Sequence, residues 1–246
     1  MLATTLKPSL PSMLIDGKKA IVFGGTSGIG LAAARRLKAL GASVVACSRE
    51  PSKAAATEGL TLQPCDVLDR EALATLLSAE APFDILISAA TGGERAIGPF
   101  LEMGLDGYKN SFDKLWGYTN VVQCGVPHLS QSSGCIVLVS GAPARRPKTG
   151  QVALTSVGAA VEQMARSIAR EIAPHRINVV SPGIIETPMF GVAGDERTAK
   201  LTAATASNAI PRPGEPDEVA GAIIFAIENE FVTGTTIDVD GGWLCP

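Results

Sequence analysis

Aromatic residues make up only 4% of this chain, and histidine occurs twice. So few rings disfavour an aromatic-rich sandwich and suit a sheet covered by Ala- and Leu-rich helices. His128 and His175 stand apart, without metal-ligand spacing, near the ends of stretches read as helical. They are therefore read as structural, and no metal site is expected. Cysteine is also sparse: Cys47, Cys65, Cys124, Cys135 and Cys245 are odd in number and form no Cys-x-x-Cys pair. That excludes a disulfide framework and a zinc knuckle, leaving structural thiols in a reducing compartment. Net charge is small, −3 with a pI near 5.5, so neither nucleic acid nor an anionic membrane has an electrostatic reason to bind. Small molecules are the expected partners. Long apolar runs are missing too, and the opening residues hold Pro8 and Pro11 but no continuous apolar stretch. The expectation is a cytoplasmic protein with a flexible extension over 1–16 and one domain over 17–246.

What the chain does contain is alternation. Short apolar runs at 20–23, 43–47, 60–65, 85–88, 135–140, 177–181 and 236–239 read as strands. Between them, amphipathic stretches at 28–40, 70–79, 108–129, 155–173, 196–206 and 216–228 read as helices. Repeated strand–helix–strand units imply an α/β fold: a doubly wound, seven-stranded parallel sheet with helices on both faces. The loosest stretches, 91–104 and 191–199, are candidate loops over a ligand.

After the first strand comes Gly24-Gly25-Thr26-Ser27-Gly28-Ile29-Gly30, which opens the first helix. Glycines allow a tight turn and close backbone approach, and a helix N-terminus offers free N–H groups to phosphate, as in a Rossmann-type dinucleotide site. At the end of the second strand, where an NAD enzyme commonly carries an acid, stands Ser48-Arg49. A hydroxyl and a guanidinium suit a ribose 2′-phosphate, so NADP(H) is the expected cofactor. The alternative is that Arg49 is a solvated loop residue.

The Gly-x-x-x-Gly-x-Gly spacing of Gly24, Gly28 and Gly30, Asp66-Val67 after the third strand, the run from Asn178 through Pro182-Gly183 to Pro188, and the tail from Thr233 to Gly242 resemble the short-chain dehydrogenases/reductases. The resemblance spans roughly residues 18–243. It implies that Thr26, Ser27, Ile29, Asp66, Val67, Ala89, Pro182, Gly183, Ile185 and Thr187 join the cofactor site. It also implies a homodimer or homotetramer built on the helices at 108–129 and 155–173.

That family's chemistry rests on an Asn, a Ser, and a Tyr and Lys one turn apart. Here Leu154 falls at the Tyr position and Gly158 at the Lys position. Ser140 is either a displaced catalytic serine or a strand-end hydroxyl. Lys114 stands at the Asn position, and the resemblance places it across the site from Gly158, where it is a candidate both to hold the cofactor ribose and to move a proton; the alternative is a solvated lysine. The segment 84–91 has drifted from the family's pattern, and the resemblance puts Ser88, at the end of the fourth strand, in the place of a structural Asn. The run Arg145-Arg146-Pro147-Lys148 either meets an anion or is a solvated loop. The reading is an NADP(H)-dependent oxidoreductase acting on a carbonyl, alcohol or activated double bond of a small apolar molecule. A non-redox enzyme and a dinucleotide-sensing binding protein remain open beside it.

Overall fold

A computed structural model describes residues 14–54, 57–91, 95–131, 134–190 and 194–245. Seven strands form one sheet: β1 (Lys19–Phe23), β2 (Ser43–Ser48), β3 (Thr61–Pro64), β4 (Ile85–Ser88), β5 (Cys135–Val139), β6 (Arg176–Pro182) and β7 (Thr236–Val239). Their order is β3-β2-β1-β4-β5-β6-β7, and every pairing is parallel. The order in which strands are added reverses between β1 and β4, and the loops leaving these two parallel strands open a crevice at the carboxyl edge.

The helices are α1 (Gly28–Ala39), α2 (Arg70–Ala79), α3 (Leu105–Ser111), α4 (Asp113–Gly125), α5 (Val152–Ile168), α6 (Gly194–Thr205) and α7 (Pro216–Glu228). Successive strand residues point to opposite faces, so each strand feeds two cores. On one face Ala20, Val22, Ile85, Ile87 and Val137 pack against Ala33, Ala34 and Leu37 of α1 and Val219, Ala220 and Ile223 of α7. On the other, Ile21, Phe23, Leu86, Ile136 and Leu138 meet Leu73 and Leu77 of α2, Val121 and Val122 of α4, and Val161 and Ala165 of α5. Burial on both faces explains why the inner strands β1, β2, β4 and β5 read as apolar runs.

Several boundaries differ from the sequence reading. The stretch 108–129 is two helices meeting at Phe112, followed by a short 3-10 turn, Val126–His128. The helix read as 155–173 begins at Val152 and ends at Ile168, and α6 begins at Gly194, inside a stretch read as loop. Ile15, assigned to the extension, is 4% exposed and belongs to a core cluster, so packing begins before residue 17. Residues 1–13 lie outside those described.

One buried charge serves the fold alone. Arg176, at the start of β6, donates to the carbonyls of Ala226, Ile227, Asn229 and Val232 and so closes the C-terminal end of α7. The Ala226 and Ile227 carbonyls belong to the last turn of α7 and have no partner within the helix, Asn229 and Val232 follow it, and one guanidinium spans all four.

Candidate functional site

At the carboxyl edge of the sheet lies a cavity of about 770 Å³. Every residue assigned from the sequence to cofactor or chemistry lines it: Gly24, Thr26, Ser27, Gly28, Ile29 and Gly30 after β1; Ser48 and Arg49 after β2; Asp66 and Val67 after β3; Ala89 after β4; Lys114 of α4; Ser140 after β5; and Pro182, Gly183, Ile185 and Thr187 after β6. Leu154 and Gly158 of α5 line it as well.

The glycines are where they are because atoms are close. A Cβ on Gly24, which has φ +75, would fall 2.8 Å from the backbone of Ala89 and Ala90; one on Gly30 would fall 2.1 Å from the Gly24 oxygen. A Cβ on Gly28 would project toward Thr187 on the far wall, 3.3 Å from its methyl carbon, so only hydrogen leaves that channel open. Ser27 precedes α1 without making a side-chain cap, and the first turn of α1 holds no acid. The amides of Gly28, Ile29 and Gly30 therefore face the cavity with no partner in their own helix, a cradle that fits a pyrophosphate. The Ser48 hydroxyl is buried beside exposed Arg49 and has no hydrogen-bond partner among the described residues. An orphan hydroxyl next to a free guanidinium fits a 2′-phosphate. Asp66 turns one carboxylate oxygen back to accept from the Leu68 amide at 3.0 Å, which fixes the adjoining loop.

Val67 is held from two sides. Asn120 of α4 donates to its carbonyl at 3.0 Å, and a Cβ on Gly117 would fall 2.5 Å from its side chain. These contacts bring α4 against the loop after β3 and aim the next inward residue, Lys114, into the cavity. Its Nζ donates to the Ser140 carbonyl at 3.2 Å and lies 5.5 Å from the centre of the Tyr118 ring. Burial, and secondarily the Arg95 guanidinium, push its pKa down to about 7, against a smaller opposing pull from Glu162. Lys114 is not the solvated lysine of the alternative reading.

Ser140 is not a free hydroxyl. Its Oγ donates to Glu162 Oε1 at 2.8 Å, and Glu162 Oε2 pairs with Arg145 Nε at 3.2 Å. Burial raises the Glu162 carboxyl above the usual range, with Ser140 and Arg145 opposing it. Gly158 packs against Ala144 of a 3-10 turn: a Cβ there would fall 2.8 Å from the Ala144 methyl. The space beside α5 is thus partly filled by that turn, and the amine enters from α4.

The basic run 145–148 is exposed, but its cations are engaged by the chain itself. Arg145 makes a double hydrogen bond with Asp238, Arg146 donates to the carbonyls of Trp243 and Cys245, and Lys148 lies 4.0 Å from the centre of the Trp243 ring. It ties the C-terminal segment against the cavity. Cys47 and Cys65 also line the cavity, and burial raises both thiols, Cys65 to about 11. The sequence reading missed four residues here. Arg95 lies in the stretch read only as a loop, Trp243 after the last strand, and Glu162 on α5 at i+4 from Gly158. Tyr118 was readable, being one turn beyond Lys114 on the same face, where a side-chain pair can meet. Its hydroxyl donates to the Val139 carbonyl at 3.0 Å, and burial raises it well above the usual phenol range.

Two kinds of comparison bear on this geometry. A family model described as enoyl-(acyl carrier protein) reductase matches residues 24–244. L-xylulose reductase of Bos taurus is 31% identical over 241 residues, covering 94% of this chain and 98% of its own. L-fucose dehydrogenase of Bos taurus is 30% identical over 241 residues, covering 92% and 89%. Among solved structures, a small-chain dehydrogenase in complex with NADPH superposes with a TM-score of 0.83 at 31% identity, covering 94% of this chain and all of that one.

Lys114 provides a direct check on the site. Unfolded, its amine holds a proton up to the ordinary 10.5; folded, only to about 7. The native state therefore binds fewer protons across that window, and this group makes stability rise as pH climbs from about 7 to about 10.5. Lys114→Met should stabilise the cofactor-free protein by roughly 1–3 kcal/mol at neutral pH and by less near pH 10, in urea titrations. Amine labelling of the parent, followed by peptide mass spectrometry, should show a midpoint near neutrality. A midpoint at the ordinary lysine value would return the side chain to solvent.

Proposed function

Because the chain belongs to the short-chain dehydrogenase/reductase family, we propose that it is an NADP(H)-dependent oxidoreductase with Lys114 in the place of the usual acid/base pair. The observation that carries this reading is the single cavity in which the phosphate cradle, the Ser48–Arg49 pair and the Lys114 amine meet. Gly28 to Gly30 take the pyrophosphate, Ser48 and Arg49 the 2′-phosphate, Asp66 and Val67 the adenine, and Pro182 to Thr187, with Ala89, the nicotinamide side. When bound, the dinucleotide supplies or accepts a hydride.

The chain's own residues govern the proton. In the reduction direction the Lys114 ammonium would give a proton to the oxygen of the substrate carbonyl and become a neutral amine. In the oxidation direction the neutral amine takes the proton back from the alcohol. An amine with a pKa of about 7 serves both directions near neutrality. Ser140 acts by position: its carbonyl holds Lys114 and its hydroxyl holds Glu162. Leu154, without a proton to give, forms wall. The relatives are named for L-xylulose and L-fucose, and Lys114, Arg95 and Gln151 on the cavity wall suit a hydroxylated substrate better than the apolar one read from sequence.

The fold leaves the outward sides of α4 and α5 uncovered: Trp116, Ala159, Gln163 and Arg166 are exposed. Pairing of these helices in a homodimer or homotetramer covers them. A monomer mass by light scattering at micromolar concentration would refute that assembly.

Calorimetric titration tests the cofactor assignment. NADPH should bind at least about tenfold more tightly than NADH, the scale of one charge-assisted hydrogen bond, and Arg49→Ala should remove the difference. Equal affinities in the parent protein would defeat the NADP assignment. Turnover tests the amine: with an L-xylulose-type ketose or another substrate found by screening, Lys114→Met should lower kcat roughly 10²–10⁴-fold while cofactor affinity holds. Loss of affinity with an unchanged rate would instead assign Lys114 to anchoring the ribose.

A further inference from the structure

Arg95 and Lys114 set two positive charges on the wall of one cavity, close enough for the guanidinium to depress the amine. Neither has an acid partner among the described residues. The nearest carboxylate to pull on Lys114, Glu162, has one oxygen on the Ser140 hydroxyl and the other on Arg145. The remaining face of Lys114 is the Tyr118 ring, whose hydroxyl is engaged with the Val139 carbonyl.

Elsewhere around the cavity, Arg49 is the cation assigned to the 2′-phosphate, and the others are engaged by the chain itself. Arg145 is paired with Asp238 and Glu162, Arg146 with two carbonyls, and Lys148 lies over Trp243. Two neighbouring cations without a counter-charge repel each other, and the partial burial of Lys114 strengthens the repulsion that it feels. Such an arrangement persists where a ligand brings the missing charge.

We propose that Arg95 and Lys114 together bind a carboxylate carried by the substrate beside its reacting carbon, so that the enzyme acts on an oxo acid or hydroxy acid. The inference rests on the oxidoreductase reading and narrows it to an acidic substrate class. A planar guanidinium accepts a carboxylate in a two-point grip, and the Lys114 N–H groups not spent on Ser140 can reach both a carboxylate oxygen and the neighbouring carbonyl oxygen. The pairing also changes the proton inventory. An anion beside Lys114 favours its charged form, so the substrate, on binding, draws in the proton that its carbonyl oxygen later receives.

The probe is 2-oxobutyrate, and its uncharged comparator is methyl 2-oxobutanoate. Both are titrated into the protein saturated with NADP⁺, with dinitrophenylation of Lys114 read by peptide mass spectrometry. The acid should protect Lys114 at a concentration at least about tenfold lower than the ester, with net proton uptake in calorimetry at neutral pH. Arg95→Met, on a loop outside the core, should abolish the difference between the two probes, and Lys114→Met should abolish the proton uptake. Equal protection by acid and ester would overturn the proposal, as would protection by the acid that survives Arg95→Met. If NADP⁺ itself fails to bind, the redox reading falls; protection by the acid in the cofactor-free protein would still uphold the anion site. Absence of protection in a protein that binds NADP⁺ would remove the acid site alone.

Discussion

Everything at the functional edge depends on one contact between backbones. The turn after β1 lies directly on the residues after β4, with Gly24 against Ala89 and Ala90 and Gly30 against the Gly24 carbonyl. No side chain fits between them, so the α1 amides and the β4 loop share one wall of the crevice. Move that contact outward by a methyl group and the helix end no longer faces the channel. The parallel order of the sheet supplies the crevice, and this approach fixes its width.

Lys114 shows the opposite economy, a position maintained against its own electrostatics. A charged amine loses hydration there and faces a guanidinium, yet the surroundings hold it firmly: a carbonyl from Ser140, a ring from Tyr118, and a helix pressed onto Val67 through Gly117. The cost is local and the scaffold is rigid. Across the cavity, Gly158 of α5 leaves room only for the Ala144 turn, while α4 delivers the amine.

How much of this was legible beforehand follows from the reach of each interaction. Strands buried on both faces announce themselves as apolar runs, and the glycine spacing after β1 reports a local backbone need; both were read correctly. The break at Phe112 was not, because amphipathic periodicity continues through it and no glycine or proline marks the change of axis. The Ser140–Glu162–Arg145–Asp238 chain was invisible for another reason. Its members are brought together only when β6 has been laid between β5 and β7 with α5 beside them, and 93 residues separate Arg145 from Asp238. The partners of the basic run 145–148 are likewise hidden until the C-terminal segment is laid against it.

That segment gives the protein an optical property. Of its two tryptophans, Trp116 is 55% exposed, while Trp243 is 5% exposed, lines the cavity, donates its ring N–H to the Arg146 carbonyl and carries the Lys148 ammonium over its face. Indole emission shifts with polarity and with nearby charge, so the two rings should glow at different wavelengths: one reporting bulk water, the other the interior of the cavity. The arrival of any ligand is then written into the blue side of the spectrum, without a label.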